Sequence, residues 1–135
     1  MMRVPALLLT LASLAACSKS ADPADCKRFK TGHFRFVAHQ SGMAYSWLID
    51  RTDSIQTETD EVTGDVSKLS VKWVDDCHYQ LKLMSSTRPF PDSIQQIRKT
   101  VALQTEITEA TSHYYIFSSF RDKSELVLTD TMWVR

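Results

Sequence analysis

Asp75-Asp76-Cys77-His78 is the densest run of ligand and acid–base groups in the sequence. Carboxylate, thiolate and imidazole together are the donor types that bind zinc. Their spacing argues against a metal site, because adjacent residues of a strand point to opposite faces. Aspartates at such a break more simply hydrogen-bond their own backbone in a turn. His33 and His39 share a parity, but six residues of straight strand hold them about 20 Å apart. The paired carboxylates Asp60 and Glu61, and Glu106 and Glu109, read as solvated surface. There is no Gly-x-Ser-x-Gly elbow, no His-Glu-x-x-His, no Cys-x-x-Cys and no phosphate-binding glycine loop. The only glycines are Gly32, Gly42 and Gly64. The sequence therefore predicts a protein that is not an enzyme, with no catalytic residues, no metal site and no cofactor.

The cysteines carry a different chemistry. Arg3 is followed by an apolar run over 4–16, too short to span a bilayer permanently and laid out like a secretory signal peptide. Leu14-Ala15-Ala16-Cys17 closes it and resembles the lipobox of bacterial lipoproteins. The resemblance implies cleavage before Cys17, a diacylglyceryl thioether on its sulfur and an acylated amino end. Several acyl chains make such an anchor stable, at roughly 0.8 kcal/mol per buried methylene. Ser18 in place of an inner-membrane retention aspartate implies the outer membrane, facing the periplasm. Lipidation at Cys17 leaves Cys26 and Cys77, and an even pair in an oxidising compartment reads as a disulfide.

Cleavage leaves 119 residues with 15 basic and 16 acidic side chains, a net charge of −1. That balance gives no electrostatic case for nucleic acid. Lys27, Arg28 and Lys30 form the one basic cluster and read as a solvated strand start.

The elements that would position these groups are short strands. The stretch 73–83 is central. Leu69, Val71 and Trp73 share one parity before the Asp-Asp break, and Tyr79, Leu81 and Leu83 share one after it. This predicts a hairpin with arms over 66–74 and 77–84. Before it, Phe34, Phe36 and Ala38 alternate with His33, Arg35 and His39. Tyr45, Trp47 and Ile49 define the next strand, which Arg51 to Ser54 breaks. Residues 54–59 read as a partly exposed return strand. Pro89 and Pro91 exclude a central strand over 85–93. A short helical turn follows, capped by Asp92 or Ser93, with Ile94, Ile97 and Val101 at helical spacing. Strand composition returns over 100–108, 113–120 and 126–134.

The domain expectations are a signal peptide over 1–16, the lipidated cysteine and a short tether over 17–25, and one β domain over 26–135. Its fold class is all-β, an antiparallel up-and-down sheet of seven or eight strands, curled or closed as a barrel. The segments 26–34, 51–56 and 71–81 resemble a group of small exported Bacteroidota proteins. That group often carries the label "DNA topoisomerase IV", which has no physical basis in a near-neutral chain of this size. Gly32-His33-Phe34 before a run of antiparallel strands is similar to the calycin superfamily, which includes lipocalins. Phe34 stands near the place of the usual lipocalin tryptophan. A closed barrel of eight strands is just wide enough to hold a small ligand, and Phe36, Trp47, Trp73, Leu81 and Phe117 are the candidate lining of such a pocket. The functional expectation is a membrane-tethered domain that binds a small apolar ligand or lipid. The alternative is a structural lipoprotein that binds another envelope protein and has no pocket.

Overall fold

A computed structural model describes residues 21–122 and 125–135. Cys17 and the leader lie outside the described residues. Eight antiparallel strands close into a barrel in which each strand pairs with its sequence neighbours. They are β1 (Gly32–Gln40), β2 (Met43–Arg51), β3 (Ile55–Asp60), β4 (Val66–Trp73), β5 (His78–Ser86), β6 (Leu103–Ala110), β7 (Tyr114–Phe120) and β8 (Leu126–Val134). The all-β, up-and-down expectation is met in its closed form. Closure is narrow: Phe34, Arg35 and Phe36 of β1 pair with Val134, Trp133 and Met132 of β8.

The local chemistry explains the register. Ser41 and Gly42 both adopt left-handed conformations, with φ of 53° and 77°. They make the two-residue turn whose twist suits a hairpin, and Gln40 then pairs with Met43. Gly32 has φ 139°, and a Cβ there would lie 3.2 Å from the Phe34 ring, so the chain can enter β1 only with glycine at this point. The β4–β5 hairpin pairs Trp73 with Tyr79, Val71 with Leu81 and Leu69 with Leu83. Its turn spans residues 74–77, longer than the two-residue break expected. Asp75 holds that turn by accepting from the Cys77 amide at 2.9 Å and pairing with His78. Asp76 points away to Lys30 Nζ at 2.7 Å.

Two segments depart from the sequence reading. The expected tether and strand start form a cap instead. Helix α1 (Pro23–Cys26) and a 3-10 turn (Lys27–Phe29) precede β1, and Asp22 caps α1 by accepting from the Ala24 amide. A helix this short has no hydrophobic period to read, and Cys26 and Phe29 alone drive into the core. The second departure is α2 (Asp92–Thr100), nine residues rather than one turn. Neither Asp92 nor Ser93 caps it. The N-cap position is Pro91, without a side-chain hydrogen bond, and Ile94, Ile97 and Val101 stay exposed.

The disulfide expected between Cys26 and Cys77 is present, with Cα atoms 5.2 Å apart. It ties the cap to the β4–β5 turn. The cap, the eight strands, the disulfide and the core cluster of the described residues all lie within residues 21–135.

Candidate functional site: a polar-staved cavity in the barrel

The barrel has a sealed end and an open end. The cap seals the end where β1 begins and β2 finishes. Phe29 packs there against Tyr115, with ring centroids 4.9 Å apart, and against Phe34 at 6.3 Å. The floor beneath it is Arg51, the last residue of β2 and only 3% exposed. Its Nε donates to Gln56 Oε1 at 2.7 Å and its Nη1 to the Phe29 carbonyl at 2.9 Å. Its Nη2 donates to the hydroxyls of Tyr115 at 2.9 Å and Tyr79 at 3.3 Å. Phe34, Tyr79, Tyr115 and Trp73 surround the guanidinium, with ring centroids 4.7–5.9 Å from Cζ. Among the described residues no carboxylate forms an ion pair with it. Burial pulls the Arg51 pKa down, but Tyr115 and Tyr79 outweigh this and hold it above its ordinary value. Burial likewise pushes Tyr79 well above the usual phenol range, so it is neutral at physiological pH. Arg51 is therefore a cation held by neutral oxygens and ring faces, an arrangement that fixes the cap to the floor.

Above this floor lies a cavity of about 320 Å³. That is near the lower end of the roughly 300–1,000 Å³ of small-molecule sites. Phe36, Trp47, Leu81 and Phe117 line it, together with Ile49, Leu69, Leu103 and Met132. Phe36 stacks on Trp47 with centroids 5.4 Å apart, and Trp47 on Tyr45 at 6.3 Å. Phe117 meets the edge of Phe36 at 5.9 Å.

Trp73 does not line the cavity. Its strand parity is inward, as the alternation indicates, but its height is wrong. It ends β4 at the sealed end, packed on Tyr79 at 4.6 Å and under the Lys30 ammonium at 5.5 Å.

The sequence reading missed the polar stave. Gln56, Glu58 and Asp60 of β3 alternate with Ile55, Thr57 and Thr59, and the polar set faces the cavity. Ile55 is the exposed residue. The expectation of a partly exposed strand is met, but its inward face is the polar one. The signal was available: Arg51 shares the parity of Tyr45, Trp47 and Ile49, so it belongs to the inward face of β2, not to the turn. In β3 the same alternation is present with the polarity reversed.

The mouth is built from the β3–β4 turn and α2. Asp60 Oδ1 accepts from the Val62 and Thr63 amides at 2.8 and 3.0 Å. The Thr63 and Val62 amides hold its carboxyl below the usual range. Asp65 accepts from the Thr63 and Thr87 hydroxyls. β5 and β6 pair only where residues 78–81 meet residues 103–106. Beyond that point α2 packs along β5 and completes the wall. Phe90 lies between the guanidinium groups of Arg88 and Arg98, at 5.4 and 4.8 Å, and all three line the cavity at its rim.

These features define a class: a closed, eight-stranded up-and-down β-barrel of calycin-like architecture, capped at one end and hollow toward the other. The chain matches no family model, no curated protein and no solved structure. The class therefore rests on topology. Among the described residues no group of three or more His, Cys, Asp or Glu side chains is arranged to hold a metal ion. No helix among them is long and apolar enough to cross a membrane.

Proposed function

We propose that this chain is an envelope lipoprotein whose barrel binds a small, largely apolar ligand. The observation that carries the reading is the aromatic-lined cavity above a floor that Arg51 ties together by hydrogen bonds. A barrel needed only as a solid scaffold gains from filling its interior, since voids forfeit packing. A ligand entering would remove water from the rings of Phe36, Trp47 and Phe117, a gain of about 25 cal/mol per Å² of apolar surface. The test is titration of residues 17–135, carrying Cys17→Ser, with fatty acids, isoprenoids and small aromatic compounds. Saturable binding should change tryptophan fluorescence. Trp47→Phe should abolish most of that change and weaken binding, while Trp73→Phe should leave affinity unchanged because Trp73 lies below the cavity. Equal effects of the two substitutions would contradict the assignment of the site.

The anchor belongs to the same proposal. Its support is Leu14-Ala15-Ala16-Cys17 behind the apolar run. The intact mass of the mature protein should start at Cys17 and carry acyl additions, and Cys17→Ser should leave the precursor unprocessed. A mature form beginning elsewhere and lacking acyl mass would remove the lipoprotein reading. The expected location is the outer membrane, facing the periplasm. Only eight residues separate Cys17 from Cys26 of the cap, so the barrel would sit close to the bilayer.

A second reading, binding of an envelope protein, is favoured by one observation. Met84 of β5, Ile94 and Ile97 of α2, and Val101 at its end are all exposed. Apolar groups gathered beside one helix are what a protein contact would use.

A further inference from the structure

Glu58 is an acidic group of the cavity wall that, unlike Asp60 and Asp65, takes no part in the mouth turn. Glu58 Oε1 accepts from Gln56 Nε2 at 2.8 Å. Among the described residues Oε2 has no hydrogen bond or ion pair. The orientation is fixed from below. A guanidinium can only donate, so Arg51 requires the oxygen of the Gln56 side chain, which turns the Gln56 amide nitrogen toward Glu58. Glu58 Oε1 must then be an acceptor, and any proton that Glu58 takes sits on Oε2. Across the β2–β3 ladder Glu58 lies opposite Ile49, with Trp47 two residues further along the same face.

We infer that the cavity takes a small apolar amine, whose ammonium group is received by Glu58 Oε2 beside the rings of Phe36, Trp47 and Phe117. The inference rests on the pocket reading above and names its ligand class. A carboxylate in an apolar, aromatic-walled space is complementary to a cation twice over, through charge-assisted hydrogen bonding and through ring quadrupoles. An anionic head at the same depth would meet the Glu58 oxygen. Asp60, Asp65, Arg88 and Arg98 are the other charged groups lining the cavity, and Arg98 of α2 and Arg51 of the floor are the cations that act on Glu58. Arg51 is spent on four acceptors, and Arg98 lies over the Phe90 ring at the rim. Burial raises the Glu58 pKa, against the lowering by Gln56, Arg98 and Arg51. Its charged form is thus costly in the empty barrel, and an ammonium partner relieves that cost.

The test uses residues 17–135 with Cys17→Ser, titrated with 2-phenylethylamine, 2-phenylethanol and 3-phenylpropanoate. The amine should bind tightest. Glu58→Gln should weaken the amine by about ten- to a hundredfold, the range of a hydrogen bond to a charged group, and leave the alcohol nearly unchanged. The same substitution removes a buried carboxyl, so its melting temperature at neutral pH should not fall. On the unsubstituted barrel, amine binding in mildly acidic buffer should release protons, since an ammonium displaces the one on Oε2. Binding of the alcohol or the acid without preference for the amine overturns the inference and keeps the pocket. So does amine binding that releases no proton and is indifferent to Glu58→Gln. Failure of all three to bind overturns the inference, and failure of the fatty acids and isoprenoids as well overturns the pocket reading.

Discussion

Arg51→Met should destabilise the domain by about 2–5 kcal/mol, measured as the shift in free energy from urea unfolding. The substitution keeps length and apolar bulk, so little cavity forms. What it removes is the donor to the Phe29 carbonyl and to Gln56 Oε1, two buried acceptors. An acceptor left buried without a partner costs about 1–3 kcal/mol. The Tyr79 and Tyr115 hydroxyls already lie 3.2 Å apart and can satisfy each other in part. The relief of desolvating a charge offsets some of the loss, and buried ion pairs replaced by apolar groups sometimes gain stability. The offset is smaller here, because the partners are neutral oxygens that remain buried after the charge has gone. The damage should reach the site as well: Gln56, freed from Arg51, no longer has a fixed amide orientation toward Glu58. An unchanged or raised unfolding free energy would contradict the role given to Arg51.

The second large effect is loss of the disulfide. Cys26→Ala with Cys77→Ala should cost about 4 kcal/mol, because closing a loop with a sequence separation of 51 removes that much chain entropy from the unfolded state. Stabilities of domains this size are only about 5–15 kcal/mol, so the loss is a large fraction of the whole. The cap is held by two devices, the disulfide at Cys26 and the Arg51 bond to the Phe29 carbonyl. The two substitutions should therefore be non-additive in a double-mutant cycle. With the disulfide gone, Phe29 loosens and Arg51→Met should cost less than in the intact protein. Strict additivity would mean that the cap is not the shared element.

Much of the barrel was legible because alternation was regular where the inward face is apolar. Phe34 and Phe36, Trp47 and Ile49, Leu69 to Leu83, and Tyr115 and Phe117 all show period two with the expected polarity. The disulfide was legible from the even pair of cysteines left once Cys17 is set aside, together with the resemblance of the leader to a signal peptide. The site was only half legible. Its aromatic wall followed from the same alternation, but its polar stave did not, since Gln56, Glu58 and Asp60 face inward while Thr57 and Thr59 face out. A hollow barrel does not need every inward position apolar, so hydrophobicity alone misassigns such a strand. Trp73 shows a further limit: period two gives the face of a residue and not its height along the barrel axis. The cap escaped because four helical residues contain no period at all.

A hollow barrel of this kind is proposed to hold a ligand. Native mass spectrometry of the protein purified from its native cells tests this most directly, with the denatured mass of the same sample as reference. The native mass should exceed the denatured mass by a single small-molecule increment, lost on Trp47→Ala or Glu58→Gln. A native mass equal to the denatured one, with no increment gained on exposure to amines or lipids, would contradict it and leave the exposed apolar flank of α2 as the functional surface.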